Sequence, residues 1–311
     1  MTSHARLNPS YGRGEAVIDD LGVAVDSNTL GERVGMLFSR PQFKAPMLPA
    51  MAVQVITISR KPNVTIGELV EVISHDAMIT ADVLKLAHSP MYSRSTPART
   101  LKEAAARMGI RGVQSLVLET LQRVIFKSPT MGPSLEAVRK HGSVVGHLSR
   151  LVARQTAFDA EFAFVCGLLH EIGISAGLMA LGEDRSSVLD AEQWYALEKS
   201  HEHAASLLSR LWQLPPELSL VISSHHAPAK ELPHRHPVAS VLALAEHLAA
   251  ESGFGLVPLL AKCGLTLPES LEQPVPARAG AARAQLRLSD AVYAQLHHDA
   301  AAVVEQLSQH E

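Results

Sequence analysis

The sequence contains little cysteine and few aromatic residues, and each shortage argues against a class of protein. Two residues of the 311, Cys166 and Cys263, are cysteines, and both lie in apolar surroundings. A disulfide framework is therefore not expected, and a reducing cytoplasm is the predicted location. Hydrophobic residues make up 47% of the chain, but aromatic residues make up only 4%. A core of leucine, alanine and valine favours packed helices over sheets, which use aromatic and β-branched side chains.

The sequence also lacks strong charge and the pattern of a signal peptide. The formal net charge of −3 gives no electrostatic reason to expect a nucleic-acid partner. Residues 1–13 lack the apolar core of a signal peptide. The stretch 162–181 is apolar enough to suggest a membrane span, but His170 and Glu171 at its centre would cost several kcal/mol in lipid. A buried core helix is predicted there instead, and no membrane partner is expected.

Proline-rich segments divide the chain into four parts. Residues 1–45 are predicted to form an irregular arm with one short helix, and residues 46–130 a first helical subdomain. A proline-rich break separates this subdomain from a second helical bundle over residues 131–255. Residues 256–311 are predicted to contain a surface linker that runs through Arg283, followed by an amphipathic helix from Ser289 to about Leu307.

Capping patterns predict where helices begin in the first subdomain. Thr65 with Glu68, and Thr100 with Glu103, have the spacing of capping boxes, in which the two side chains satisfy free amides at a helix start. The helix that begins after Thr100 is predicted to stop at Gly109.

Histidines are concentrated in the second half of the chain. Ten of the sixteen fall between His141 and His247. Their candidate positions, with one acidic residue, are separated by 29, 31, 24 and 21 residues, and each separation fits one helix plus one loop. Consecutive helices of a bundle could thus each present a ligand to one interior point. These positions are His141, the pair His170-Glu171, His201, the pair His225-His226, and Glu246.

The pair His170-Glu171 is the sharpest local signal. An ionised carboxylate inside so apolar a segment needs a partner, which could be a metal ion, an arginine or another histidine. With no cysteine among the candidates, imidazole and carboxylate ligands point to Fe, Mn, Ni or Zn. A carboxylate between two ions could also bridge a two-metal centre. The candidate ligands are His141, His170, Glu171, His201, His225, His226 and Glu246.

Each of the other candidates also has an ordinary structural explanation. His141 could lie on a helix surface, and His201, placed at a helix start, could simply cap that helix. His225 and His226 could form a solvated helix end, with one of them or neither binding metal. Glu246 could be a plain surface acid.

In their order along the chain, these residues resemble the ligands of the HD superfamily of metal-dependent phosphohydrolases. More closely, residues 46–250 resemble the HDOD (HD-related output domain) family of bacterial regulatory proteins. The matching stretches are Leu48-Pro49, Ser74-His75-Asp76 with Thr80, Leu86-Ala87-His88-Ser89, Met108-Gly109, Gly167-Leu168-Leu169-His170, and Trp212-Gln213-Leu214-Pro215 before His225-His226.

The resemblance implies an all-α, HDOD-like helical bundle in two subdomains. The first, over 46–130, is the part peculiar to HDOD proteins, and the second, over 131–255, is similar to the HD phosphohydrolase bundle and carries the site. A signalling role through partner proteins is implied, with one or two divalent metal ions. The alternative hypothesis is a metal-dependent phosphohydrolase that acts on a nucleotide or phosphate ester through the same residues.

Departures from the superfamily pattern favour the regulatory hypothesis. Glu171 and Glu246 stand where the superfamily has aspartate. Hydrolases of cyclic dinucleotides resemble His-Asp-x-Gly-Lys at this point, whereas this chain has Ile174 in place of the lysine, and it lacks their Gly-Tyr-Pro segment. These changes spare metal binding but weaken the case for phosphodiester hydrolysis.

Overall fold

The computed structural model describes residues 46–47, 49–59, 61, 63–88, 92, 98–183, 189–266 and 276–308. Over these ranges the chain forms α-helices joined by short loops, with one 3₁₀ turn and no strand, as the composition predicts. The arm predicted over residues 1–45, with its short helix, lies outside the described residues.

Two helices of the first subdomain begin where the capping patterns predict. Thr65 Oγ1 accepts a hydrogen bond from the Glu68 amide, and Glu68 Oε2 accepts one from the Thr65 amide, which confirms the first capping box. At the second, Thr100 Oγ1 accepts from the Glu103 amide, but Glu103 Oε2 accepts from the Arg99 amide, so the predicted second capping box does not form. Gly109 has φ 71°, a left-handed conformation that favours glycine, and the longest helix of this part kinks there. The helices are α1 (Ala50–Ser59), α2 (Ile66–Ile73), α3 (Ala77–Ala87) and α4 (Leu101–Ile125).

The second subdomain is built around one long helix, α5 (Gly132–Ala153). Val145, Leu148 and Val152 on α5 are fully buried, because other helices pack on several of its faces. The elements that follow α5 are α6 (Ala160–Leu169), α7 (Ile172–Glu183), α8 (Ala191–Leu211), α9 (Pro216–Ile222), the 3₁₀ turn Leu232–His234, α10 (Val238–Glu251) and α11 (Leu256–Ala261).

The apolar segment Ala160–Gly182 is long enough to cross a membrane by length and composition, but 89% of its most apolar window is buried inside the protein. It forms the helices α6 and α7, which meet at His170 and Glu171. The helical prediction for this segment is therefore confirmed, with a break at the two polar residues.

Glycines allow these two helices to approach their neighbours backbone to backbone. A Cβ atom on Gly167 would lie 2.8 Å from Gly146 Cα on α5, and one on Gly173 would lie 2.7 Å from the carbonyl carbon of His201 on α8. Real Cβ atoms do not approach other atoms so closely. The close approach sets the depth at which His170, Glu171 and His201 enter the interior.

The C-terminal part differs from the sequence prediction. The predicted linker is interrupted by a helix, α12 (Pro276–Gln285), which packs against α10. Alanine is the best helix former, and Ala279 and Ala282 provide the buried face of α12. The final helix, α13 (Asp290–Ser308), agrees with the predicted amphipathic helix.

Gly173→Ala should lower the free energy of unfolding by roughly 1–3 kcal/mol or more, because the new methyl group overlaps the backbone of α8 and the two helices must separate. Urea unfolding followed by circular dichroism measures this change.

Gly280→Ala on α12 is the matched control, since a Cβ there has no heavy atom within 4 Å. Its effect should be stabilising and below about 1 kcal/mol. Similar free energies of unfolding for the two variants would contradict the close contact between α7 and α8.

Candidate metal centre

The structure brings all seven predicted ligands to one place in the second subdomain. His141 comes from the middle of α5, and His170 and Glu171 come from the break between α6 and α7. The turn after α9 carries His225 and His226, and α10 carries Glu246.

His201 is placed differently from the sequence prediction. It lies in the interior of α8, ten residues after the first residue of that helix, and not at a helix start. The capping explanation for His201 is therefore wrong.

Most of the cluster is shielded from solvent. His170 and His225 are fully buried, and the relative exposures of His201, His141 and Glu171 are 3%, 4% and 6%. The surface-histidine explanation for His141 is therefore wrong. The Glu246 side chain is 14% exposed and the His226 side chain is 40% exposed. The centre thus opens to solvent on the side of His226.

Four of the imidazoles are fixed by the same backbone contact. Nδ1 of His141, His170, His201 and His225 lies 2.7, 2.6, 2.6 and 2.9 Å from a carbonyl oxygen, respectively. A carbonyl oxygen can only accept a hydrogen bond, so each Nδ1 carries the proton and donates it. The Nε2 atom of each neutral ring is then an unprotonated nitrogen with a free lone pair. Metal-binding histidines are oriented in this way. The acceptors are the carbonyls of Phe254, Gly167, Glu198 and Ile222.

The Nε2 atoms of these histidines face one another. His141 Nε2 lies 3.3 Å from His170 Nε2, and His201 Nε2 lies 3.4 Å from His225 Nε2. With Nδ1 protonated on every ring, two facing Nε2 atoms are satisfied only by a positive charge between or beside them. A metal ion supplies that charge, and so does a proton that turns one ring of the pair into an imidazolium.

Glu171 lies between the two histidine pairs. Its Oε1 is 3.8 Å from His170 Nε2 and 3.7 Å from His226 Nε2, while its Oε2 is 3.7 Å from His201 Nε2. Glu246 Oε1 is 3.6 Å from His170 Nε2. Glu171 Oε2 and Glu246 Oε1 are buried and have no hydrogen-bond partner. Buried carboxylate oxygens without a partner are costly, and a bound cation would satisfy them.

The protonation states of the cluster suit a cation. Burial lowers the pKa of His170 to about 4, against the opposite effect of Glu171 and Glu246. Burial also lowers the pKa of His225 well below its ordinary value. Burial acts to raise the pKa of Glu171, but the neighbouring histidines, with His201 foremost, outweigh it and hold that pKa well below its ordinary value. Burial acts to lower the pKa of His226, but the hydrogen bond to Glu171 and the charges of Glu246 and Glu171 outweigh it and raise that pKa. Near pH 7 the centre therefore combines neutral His170 and His225 with an ionised Glu171.

Arg278 is a site residue that the sequence analysis missed. It lies on α12, and its Nη1 donates to Glu246 Oε2 at 2.6 Å while its Nη2 donates to the backbone carbonyl of His225. Burial acts to raise the pKa of Glu246, but Arg278 and then His226 and His170 outweigh it, and the net pKa is lowered. Arg278 thus leaves Glu246 Oε1 free to face His170.

The residues of the cluster fit a metal ion. The cluster contains three groups of residues whose donor atoms could share one ion, because within each group these atoms lie within 4.8 Å of one another. The groups are Glu171 with His201, His225 and His226; His141 with His170 and Glu171; and His170 with His225 and Glu246. Nitrogen and carboxylate oxygen donors without sulfur suit Fe, Mn, Ni or Zn. Glu171 belongs to two of the groups, which is the placement of a carboxylate that could bridge two ions.

Three other histidines do not belong to the cluster. His147 Nε2 lies 3.2 Å from Glu119 Oε1, in a network that joins α4 to α5. His88 Nε2 lies 3.0 Å from the carbonyl oxygen of Ala98 in the first subdomain. His203 is exposed on α8.

Fold and site together define the class of protein: an all-helical, two-part bundle with a buried histidine and carboxylate centre. Comparison with known families agrees, because the model of the HDOD domain family matches residues 45–228. The chain belongs to the HDOD family.

Two relatives illustrate how far the sequence likeness extends. An uncharacterized protein of Treponema pallidum is 24% identical over 201 residues, which cover 61% of this chain and 38% of that protein. Ribonuclease Y of Thermus thermophilus is 32% identical over 127 residues, which cover 41% of this chain and 18% of the ribonuclease. The chain thus spans less than two fifths of the length of either relative.

Solved structures share the fold. A Geobacter sulfurreducens HDOD domain protein of unknown function superposes with a TM-score of 0.64 at 21% identity, covering 91% of this chain and 99% of that one. A Shewanella amazonensis protein provisionally described as a metal-dependent phosphohydrolase has a TM-score of 0.54 at 17% identity, covering 84% and 99%. A Marinobacter aquaeolei protein provisionally described as a signal transduction protein has a TM-score of 0.54 at 21% identity, covering 92% and 68%. These structures establish the fold.

Arg278→Gln should weaken metal binding by roughly 10–100-fold, the usual cost of losing a partner that orients a ligand. Glu246 loses the donor that fixes its Oε2 and can turn away from His170. Titration of metal-free protein with Zn²⁺ in competition with a chelator measures the affinity.

Arg283→Gln is the control, because Arg283 lies on the same helix but contacts the Leu288 carbonyl and Asp290. It should bind Zn²⁺ like the wild type. An unchanged affinity in Arg278→Gln would show that Glu246 needs no such support.

The stability of metal-free protein should fall as the pH drops from about 6.5 towards 4. The unfolded His170 takes up a proton near pH 6.5, whereas burial keeps the folded residue neutral until about pH 4, so acid favours the unfolded chain. A pKa difference of this size lowers the free energy of unfolding by about 3 kcal/mol when the pH has fallen to about 4. Urea unfolding between pH 7 and pH 4.5 measures the loss.

The same measurement on His170→Gln separates the contribution of His170 to this loss of stability from that of the carboxylates, which titrate in the same pH range. The variant should lose less stability than the wild type over that interval. Equal losses in the two proteins would contradict a buried, neutral His170.

Proposed function

We propose that this protein is a signal-transduction HDOD protein that holds one or two divalent metal ions and acts through partner proteins. The observation that carries the metal site is the convergence of four buried imidazoles whose Nδ1 atoms donate to backbone carbonyls. Their Nε2 atoms lie beside Glu171 Oε2 and Glu246 Oε1, two buried carboxylate oxygens that have no hydrogen-bond partner. The proposed ligands are His141, His170, Glu171, His201, His225, His226 and Glu246.

Burial of this donor set supports a structural or sensory ion rather than a catalytic one. A catalytic metal site keeps an open position for water or substrate, whereas five of the seven ligands here are at most 6% exposed. Ile174, which stands where the similar cyclic-dinucleotide hydrolases have lysine, is 1% exposed and packs into the core. No cationic side chain reaches the centre from that position.

A regulatory role is also supported by the fold. The Marinobacter aquaeolei structure, which covers 92% of this chain, is provisionally described as a signal transduction protein. At 21% identity this is an analogy of fold, and the partners of this chain have to be identified by experiment.

The alternative function is metal-dependent hydrolysis of a nucleotide or phosphate ester. Two observations favour it: the His226 side chain is 40% exposed at the mouth of the centre, and 127 residues are similar to Ribonuclease Y. A bound divalent ion supplies Lewis acidity and lowers the pKa of water towards neutrality. Within the chain, His226 is the exposed imidazole beside the Glu171 carboxylate, with its Nε2 3.7 Å from Oε1.

Elemental analysis of the purified full chain should find one or two equivalents of Fe, Mn, Ni or Zn. The double variant His170→Ala, Glu171→Ala should lose them, because it removes a member of each of the three donor groups. The double variant His298→Ala, Glu305→Ala removes the same residue types from exposed positions on α13 and should retain the metal.

The same samples separate the two functions. A regulatory protein should show no turnover of nucleotides, cyclic dinucleotides or generic phosphoesters, while specific partners are recovered by pull-down. Turnover that disappears in the site variant and persists in the α13 variant would establish hydrolysis instead. A wild-type chain that takes up no metal after reloading would overturn the metal centre itself.

A further inference from the structure

A cavity of about 410 Å³ lies outside the proposed ligands of the metal centre. The end of α4, the loop that follows it and the first turns of α5 form its walls, and Ser175 of α7 closes one side. Small-molecule sites usually measure about 300–1,000 Å³, so this cavity has room for a small ligand but not for a protein domain.

The charge of the cavity is strongly biased. Arg123, Lys127 and Arg139 line it, and Glu136 is the one acidic residue among its lining side chains. Arg139 donates to both oxygens of Glu136, with Nε 2.8 Å from Oε2, so these two charges offset each other. Arg123 and Lys127 remain as a surplus of two positive charges on long, exposed side chains. Such side chains can close on an anion.

One wall of the cavity is apolar. Phe126 and Leu135 contribute to the lining, and each is less than one tenth exposed. The Phe126 ring packs against the Trp212 ring, with 6.0 Å between the ring centroids. A ligand with a charged end and an apolar or aromatic body would match both halves of the cavity.

The cavity adjoins the segment that carries the metal ligands. The Ser175 amide donates to the Glu171 carbonyl at 3.1 Å, and Gln122 Nε2 donates to the Leu168 carbonyl at 2.5 Å, two residues before His170. A ligand in the cavity would therefore lie about one helical turn from the α6–α7 break. Its presence there does not require a metal ion.

We propose that this cavity binds a small phosphate-bearing ligand of mononucleotide size. Arg123 and Lys127 hold the phosphate, and the body lies against Phe126 and Leu135. This site is separate from the metal centre, so either one can fail without the other.

Isothermal titration calorimetry of the full chain with AMP, GMP and pyrophosphate at low salt measures the affinities that test the proposal. A mononucleotide should bind more tightly than pyrophosphate, because only the mononucleotide has a body for the apolar wall. Arg123→Gln, Lys127→Gln should weaken mononucleotide binding about tenfold or more, since both substitutions remove a charge-assisted contact to the phosphate. Arg99→Gln, Lys102→Gln removes the same charge near the other end of α4 and should bind like the wild type.

Acetylation of lysines, followed by mass spectrometry, locates the ligand. The bound mononucleotide should protect Lys127 from acetylation and leave Lys102 as reactive as before. Failure of every probe to bind would overturn the proposal, as would equal binding by the two double variants. Binding that is lost in the His170→Ala, Glu171→Ala variant and leaves Lys127 unprotected would place the ligand at the metal centre and also overturn it.

Discussion

The hydrogen bonds from four histidine Nδ1 atoms to backbone carbonyls are the constraint on which the centre depends. They fix the tautomer of His141, His170, His201 and His225, and they turn the four Nε2 lone pairs towards one another in a desolvated interior. Without a cation this arrangement is unfavourable, because facing lone pairs cannot hydrogen-bond and an ionised Glu171 is left with an unpartnered oxygen. The same arrangement is suited to hold an ion, because the ligands are oriented before it binds.

The surrounding fold supplies the rigidity that this constraint needs. Three of the carbonyls that accept from the four rings belong to helices, and the fourth, that of Phe254, belongs to the short loop between α10 and α11. The rings therefore cannot turn without breaking these hydrogen bonds. The backbone contacts at Gly167 and Gly173 hold α6 against α5 and α7 against α8. Helix α12, which precedes the final helix, adds Arg278, whose Nη1 donates to Glu246 Oε2 while Glu246 Oε1 faces His170. Parts of the chain that are distant in sequence thus converge on one small volume.

Much of this could be predicted from the sequence, for physical reasons that also explain the failures. The separations between His141, His170, His201 and His225 each match the length of one helix plus one loop, and such separations can be counted from the sequence alone. The sequence prediction places His201 at a helix start, whereas the capping box of Asp190 and Gln193 begins α8 ten residues earlier. Arg278 was missed because a segment of proline, alanine and arginine has the composition of a linker. Its contact with Glu246 depends on how α12 packs on α10, and no local pattern encodes that packing.

The most direct test of the centre is the tautomeric state of its histidines, measured by long-range proton–nitrogen correlation on histidine-labelled, metal-free protein near pH 7. The account predicts that His141, His170, His201 and His225 all carry a proton on Nδ1, and that His170 and His225 are neutral. It also predicts that the four Nε2 resonances shift together when Zn²⁺ is added, with the Nδ1 protons retained. Rings protonated on Nε2 alone, or Nε2 resonances that do not respond to Zn²⁺, would contradict it.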